Sequence, residues 1–180
     1  MSNKHNLTFL ENGALAVATL VFGVMAGFFW TYTFNVNLAM LQVDGETYAK
    51  VQSLLNENVR HLMFFIFFFG GGIFSVLAWV ANLRQRRTFS FWLVTLASLI
   101  YIAGVIVFTQ QVNLPLNYYV ESWQVSNLPA DWAETRDRWN DANTVRVVTS
   151  FLSFLLCVVA LVLRANQKPK TPNNRIQRIR

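Results

Sequence analysis

At 180 residues, 54% of them hydrophobic and 13% charged, with 16 phenylalanines and a mean hydropathy of +0.34, the chain is one domain long and composed for lipid rather than for water. The net charge of +6 does not require nucleic acid as a partner, because the excess lies in "RQRR" (84–87) and "KPKTPNNRIQRIR" (168–180), where membrane topology and anionic lipid account for it. One cysteine, Cys157, excludes an intrachain disulfide, and two histidines at distant positions, His5 and His61, exclude a zinc, copper or haem site of the usual type.

Four apolar segments are long enough to cross a hydrocarbon core, at about 13–40, 62–83, 89–108 and 145–163. The first is too long for a removable signal peptide and is read as a membrane helix. It turns aromatic at Phe28, Phe29, Trp30, Tyr32 and Phe34 before reaching Asn35 and Asn37. A turn at Asp44-Gly45 follows, and from Thr47 the sequence suits an amphipathic helix leading into the second segment. That segment starts near Arg60-His61 and contains "FFIFFFGGGIF", whose triple glycine is expected to mark close helix contact.

The third segment ends in "TQQVNLPLN", and Pro115 is expected to stop regular helix near Asn113. A helix is expected to begin after Pro129 and continue into the fourth segment. It carries Arg136, Trp139, Asn143 and Arg146 at successive spacings of three, four and three, which puts them on one face.

Lysine and arginine near helix ends stay on the cytoplasmic side. With both termini inside, 10 of the 15 basic residues and only Glu11 of the nine acids are cytoplasmic. The expected fold is thus all-α: an integral membrane four-helix bundle with both termini cytoplasmic and a partly helical outer loop between helices three and four. Residues 1–164 form the membrane domain and 165–180 a basic tail, expected to be disordered. The expected location is the bacterial inner (plasma) membrane.

The polar groups cluster toward the outer helix ends: Asn35 and Asn37, Arg60 and His61, Gln110, Gln111 and Asn113, then Asn143 and Arg146. No comparable set is expected at the cytoplasmic ends. Amides at membrane depth are strongly disfavoured without partners, so these groups are expected to face one another around a pocket with an aromatic floor. No nucleotide loop, nucleophile elbow or paired acid/base carboxylates appear. Any catalysis would depend on amides, Arg146 and His61, the last as general base.

"TFNVNLAM", "VNLPLN" and "LPADWAETRDRWNDANTVR" resemble the small four-helix membrane proteins of the anthrone oxygenase-like family, long catalogued as a domain of unknown function. The shared pattern, Asn-x-Pro-x-Asn followed by Arg-x-x-Trp-x-x-x-Asn-x-x-Arg, falls on Asn113, Pro115, Asn117, Arg136, Trp139, Asn143 and Arg146. The resemblance spans roughly residues 13–163. It implies oxidation of a hydrophobic aromatic, anthrone- or quinol-like compound by molecular oxygen, with no metal or organic cofactor. It further implies Arg146, Asn113 and Asn143 as oxyanion donors, with Trp30, Phe34 and Trp139 as ring-stacking walls. Asn35, Asn37, Gln110, Asn117 and Arg136 complete the expected binding set. The residues leave a second reading open, a non-catalytic membrane protein binding lipid or a partner helix. Membrane lipid and a hydrophobic aromatic molecule are the expected partners, nucleic acid is not, and a homo-oligomer is compatible with the sequence.

Overall fold

In lipid each backbone N–H and C=O must find its partner within the spanning structure, so long apolar runs fold as helices. The computed structural model describes residues 2–166, with side chains from Thr8 onward. α1 comprises Ser2–Thr31, a π-helical turn Tyr32–Val36 and a last turn Asn37–Met40. α2 is Gly45–Asn58 and α3 is Leu62–Ala81. α4 runs from Phe89–Tyr101 through two π-helical turns, Ile102–Val107 and Thr109–Asn113, into Leu114–Glu121. α5 is Trp132–Ala165.

The stretches Thr8–Met40, Leu62–Ala81, Phe89–Glu121 and Trp132–Ala165 are each long and apolar enough to cross a bilayer. The protein is an all-helical integral membrane bundle. α1 packs against α3 and α5, and α4 packs against the same two, so helices adjacent in sequence are adjacent around a ring. Leu15, Phe22, Met25, Phe29, Phe68, Val94 and Tyr101 fill the centre. Leu62, Ile73, Leu99 and Val148 face outward and are mostly exposed, as lipid-facing residues are. The tail 168–180, expected to be disordered, lies outside the described residues.

The triple glycine marks close contact, as expected. Gly70, Gly71 and Gly72 are all buried, and a Cβ on Gly71 would lie 2.3 Å from Cζ of Tyr101. The Tyr101 hydroxyl donates to the Phe68 carbonyl at 3.1 Å and its ring stacks on Phe22 at 4.6 Å, so three helices meet there.

α4 departs from expectation. Regular helix does not stop at Asn113, whose φ of −71° and ψ of −40° are helical although a proline follows two residues later. Proline removes an N–H and its ring normally collides with the carbonyl four residues back. The π-helical turn Thr109–Asn113 widens the coil ahead of Pro115, with the Leu114 N–H bonded to the Thr109 carbonyl, five residues back. The helix therefore continues to Glu121 and carries Asn117 a turn beyond Asn113.

α2 begins at Gly45, two residues ahead of the expected start, because Asp44 caps it by accepting the Thr47 N–H at 2.8 Å. That bond holds the Asp44 carboxyl below its ordinary pKa. The helix lies across the loop end of the bundle, against the last turns of α4 and the loop before α5. Gly45 is required there, since a Cβ would come within 2.7 Å of Leu128 and 2.9 Å of Trp132. Arg60 pairs with Glu121 at the other end of α2.

Candidate functional site

The loop end of the bundle encloses a buried polar cluster. α2, α4 and α5 supply it at spacings of three or four residues, which keeps the groups of each helix on one face. α5 contributes Trp139, Asn143, Arg146 and Ser150, all buried. α4 contributes Thr109, Asn113 and Asn117, α2 contributes Tyr48, Gln52 and Asn56, and the π-helical turn of α1 contributes Tyr32 and Thr33.

Arg146 is its electrostatic centre. The side chain is buried, Nη2 donates to Asn143 Oδ1 at 2.6 Å, and Nε has no hydrogen-bond partner among the described residues. The guanidinium lies 4.8 Å from the Phe29 ring and 5.4 Å from the Trp139 ring. No carboxylate pairs with it among the described residues, where the ion pairs are Arg60–Glu121 and Arg136–Asp137. A cation withdrawn from water without a counter-ion is costly, and two aromatic faces offset only part of that cost.

The surrounding amides orient one another. Asn143 Nδ2 donates to Thr33 Oγ1 at 2.7 Å, and Trp139 Nε1 donates to Asn117 Oδ1 at 2.6 Å. The Tyr32 hydroxyl donates to Gln52 Oε1, and Gln52 Nε2 to Asn56 Oδ1 at 3.0 Å. The Tyr32 and Trp139 rings lie 4.6 Å apart, joining this chain to α5.

Asn113 stands apart in this network. It is fully buried, and neither Nδ2 nor Oδ1 has a hydrogen-bond partner among the described residues. The Asn117–Trp139 bond fixes the antiparallel register of α4 and α5, which sets Asn113 one turn deeper, at the level of Asn143 and Arg146. Asn37 Oδ1, Thr109 Oγ1, Asn56 Nδ2 and Tyr48 Oη are likewise buried and unpaired among the described residues. Burial also raises the Tyr48 phenol well above its usual pKa, with Tyr32 adding to the effect. Native interiors pair nearly all such atoms; at the opposite end of the bundle Asn82 Oδ1 and Arg164 Nη2 are likewise unpaired among the described residues.

The structure brings together Arg146, Asn113, Asn143, Asn117 and Trp139 of the sequence-derived set. Others lie elsewhere. Trp30 and Phe34 are half exposed and lie against each other, tilted by 43° with centroids 4.3 Å apart, on the outer face of α1. Asn35 and Gln110 are exposed. His61 is exposed and caps α3, its Nδ1 accepting the Phe64 N–H at 3.3 Å. Arg136 bonds Asp137 at 2.9 Å and lies over Trp132. The aromatic floor is Phe29 with Trp139, not the whole of "FFWTYTF".

Sequence reasoning missed Tyr48, Gln52, Asn56, Thr109 and Thr33. The four-residue spacings Tyr48–Gln52–Asn56 and Thr109–Asn113–Asn117 were available signals. The opposite end also carries a polar set, contrary to expectation. There Gln85 Nε2 donates to Glu11 Oε2 at 2.9 Å, Asn82 Nδ2 donates to the Glu11 carbonyl at 3.2 Å, and Arg164 reaches Asn12 Oδ1 at 3.2 Å. Those groups tie helix ends together, and their charges are of both signs.

Fold and cluster together define a four-helix membrane protein with a buried, cationic, amide-lined site. The profile of the anthrone oxygenase family matches residues 58–156, just over half of the chain, and the chain belongs to that family. The matched stretch includes Asn113, Pro115, Asn117, Arg136, Trp139, Asn143 and Arg146, while "TFNVNLAM" precedes it. Neither the curated proteins nor the solved structures give a match.

Proposed function

We propose that the protein is a membrane oxidoreductase that binds a hydrophobic aromatic ketone or quinol of the anthrone type and promotes its oxidation by molecular oxygen at the Arg146–Asn113 cluster. Family membership supports the reaction class. The observation that carries the reading is Arg146, a buried guanidinium with no carboxylate partner among the described residues and an unpaired Nε, with Asn113, an amide whose polar atoms are both unpaired, at the same end of the facing helix. Such a group matches an oxygen that becomes negative during reaction.

An anthrone loses a proton from its ring methylene to give an enolate whose oxygen bears the charge. Arg146 and Asn113 Nδ2 stabilise that oxygen, Asn143 holds the guanidinium in place, and the Phe29 and Trp139 faces favour a flat ring system. The cluster contains no carboxylate or imidazole among the described residues, so the proton passes to water. The enolate carbon gives its electrons to oxygen and forms a C–O bond, yielding a hydroperoxide. Loss of the remaining C–H proton and cleavage of the O–O bond release water and leave a second ring carbonyl. The substrate supplies all four electrons, so oxygen ends as one carbonyl oxygen and one water.

Oxygen uptake and quinone absorbance with anthrone in detergent-solubilised protein test this. The wild type is expected to exceed the protein-free autoxidation rate, and Arg146→Met to lose about 10²-fold or more of the excess. Equal rates with and without protein, or an unaffected Arg146→Met, would overturn the proposal.

A further inference from the structure

The short turn between α3 and α4 sets Arg84, Arg86 and Arg87 around a recess of about 470 Å³, with Leu83 as its apolar wall. The turn is braced from within. The N–H groups of Gln85, Arg86 and Thr88 donate to the carbonyls of Asn82, Leu83 and Gln85 at 2.8, 3.3 and 2.8 Å, and Thr88 Oγ1 accepts the Phe91 N–H at 3.3 Å. Gln85 reaches inward to Glu11, whereas the three arginines are exposed. The backbone that presents them is therefore fixed by bonds in which no guanidinium takes part.

The three cations have no counter-charge in the chain. None forms an ion pair among the described residues, where the pairs are Arg60–Glu121 and Arg136–Asp137. Eight of the nine acids belong to the other end of the bundle, and the ninth, Glu11, is buried and already accepts Gln85 Nε2. Cations of one sign gathered in a recess attract an anion. Depth follows from the spans: that of α3 ends at Ala81 and that of α4 begins at Phe89, so the arginines lie just beyond both. Phe89 and Trp92, on the first turn of α4, are exposed, and tryptophan settles at headgroup level. From the bundle outward come apolar side chains, then Leu83, then guanidiniums, the order in which a phospholipid presents its acyl chains and its phosphate.

We infer that this turn binds an anionic phospholipid, with its phosphate on Arg84, Arg86 and Arg87 and its acyl chains descending past Leu83. Charge complementarity selects that occupant. Guanidinium N–H groups make paired, charge-assisted hydrogen bonds to phosphate oxygens. A choline or ethanolamine lipid carries an ammonium next to its phosphate, where it meets three guanidiniums and no carboxylate, whereas a glycerol headgroup brings no cation. The turn lies at the opposite end of the bundle from Arg146, so the inference stands apart from the proposed oxidation.

Native mass spectrometry of the full-length protein in detergent, with an equimolar mixture of glycerol, ethanolamine and choline phospholipids of identical acyl chains, tests it. The expected wild-type result is preferential retention of the glycerol lipid, which an excess of glycerol phosphate, having the phosphate without the chains, does not displace. Replacing Arg84, Arg86 and Arg87 together by Gln is expected to lower the glycerol-over-choline ratio by about tenfold. All three side chains are exposed, so unchanged thermal melting is expected to accompany that loss. Replacing Arg175, Arg178 and Arg180 together by Gln removes the same charge from the tail and is expected to leave the ratio unchanged. Equal retention of the three lipids by the wild type would overturn the inference. So would displacement by glycerol phosphate, a preference that survives the turn substitutions, or an equal loss in the tail variant, which would trace it to net charge alone.

Discussion

Asn113 separates a structural from a functional account of the cluster more sharply than Arg146 does. Removing a buried guanidinium disturbs packing against two rings, so loss of activity in an Arg146 variant mixes several effects. Asn113 makes no hydrogen bond with the described residues, and its burial opposes folding. Asn113→Leu, of the same branched shape, is expected to stabilise the protein by about 1–3 kcal/mol, the penalty of leaving buried polar atoms unpaired. It is also expected to abolish catalysed anthrone oxidation. Thermal melting in detergent and oxygen uptake measure the two effects, and a lower melting temperature would show that Asn113 serves the fold. At this scale the sequence disclosed the α5 residues, because Trp139, Asn143 and Arg146 share a face of an uninterrupted helix. Phe34 and Asn35 lie within a π-helical turn that begins at Tyr32, whereas Trp30 lies in the regular helix before it and is half exposed. One additional residue per turn rotates everything after it by about 100°, so regular periodicity points the wrong side chains inward.

Elements set the depth of the cluster through two devices, a glycine contact between α3 and α4 and a widened turn within α4. Gly71 lets α3 approach the Tyr101 ring, which is held by its bond to the Phe68 carbonyl and by Phe22. That ring cannot yield readily. Gly71→Ala is therefore expected to destabilise the bundle by about 1–3 kcal/mol through overpacking. Gly70→Ala is expected to be nearly neutral, since its Cβ would meet only the Phe74 side chain of the same helix at 3.3 Å. Melting of the two variants side by side checks the contrast, and equal losses would attribute the effect to general glycine chemistry. The close contact was legible from "GGG" in an apolar run, but which glycine made it was not, because facing partners come from other helices. Pro115 misled for a related reason. The rule that proline ends a helix assumes regular coil before it, whereas α4 inserts a π-helical turn and keeps its backbone bonded in a setting where water cannot substitute.

Orientation belongs to the whole molecule, and the charges on the two ends of the bundle bear on it. The end where α1 starts and α5 finishes, with the α3–α4 turn, carries Arg84, Arg86, Arg87 and Arg164 against Glu11 among the described residues. The other end carries eight of the nine acids. Basic residues near helix ends resist translocation, and on that ground we propose that both termini lie on the cytoplasmic side and the buried cluster near the outer surface. The exposed loop residue Ser126 and the exposed turn residue Leu83 report on the two ends. In a Cys157→Ser background, Ser126→Cys is expected to react with a membrane-impermeant maleimide added outside intact cells, and Leu83→Cys only after lysis. The reverse pattern would invert the bundle. It would also set the Arg146 cluster against the inner leaflet, so the same labelling experiment fixes from which side a hydrophobic substrate would reach it.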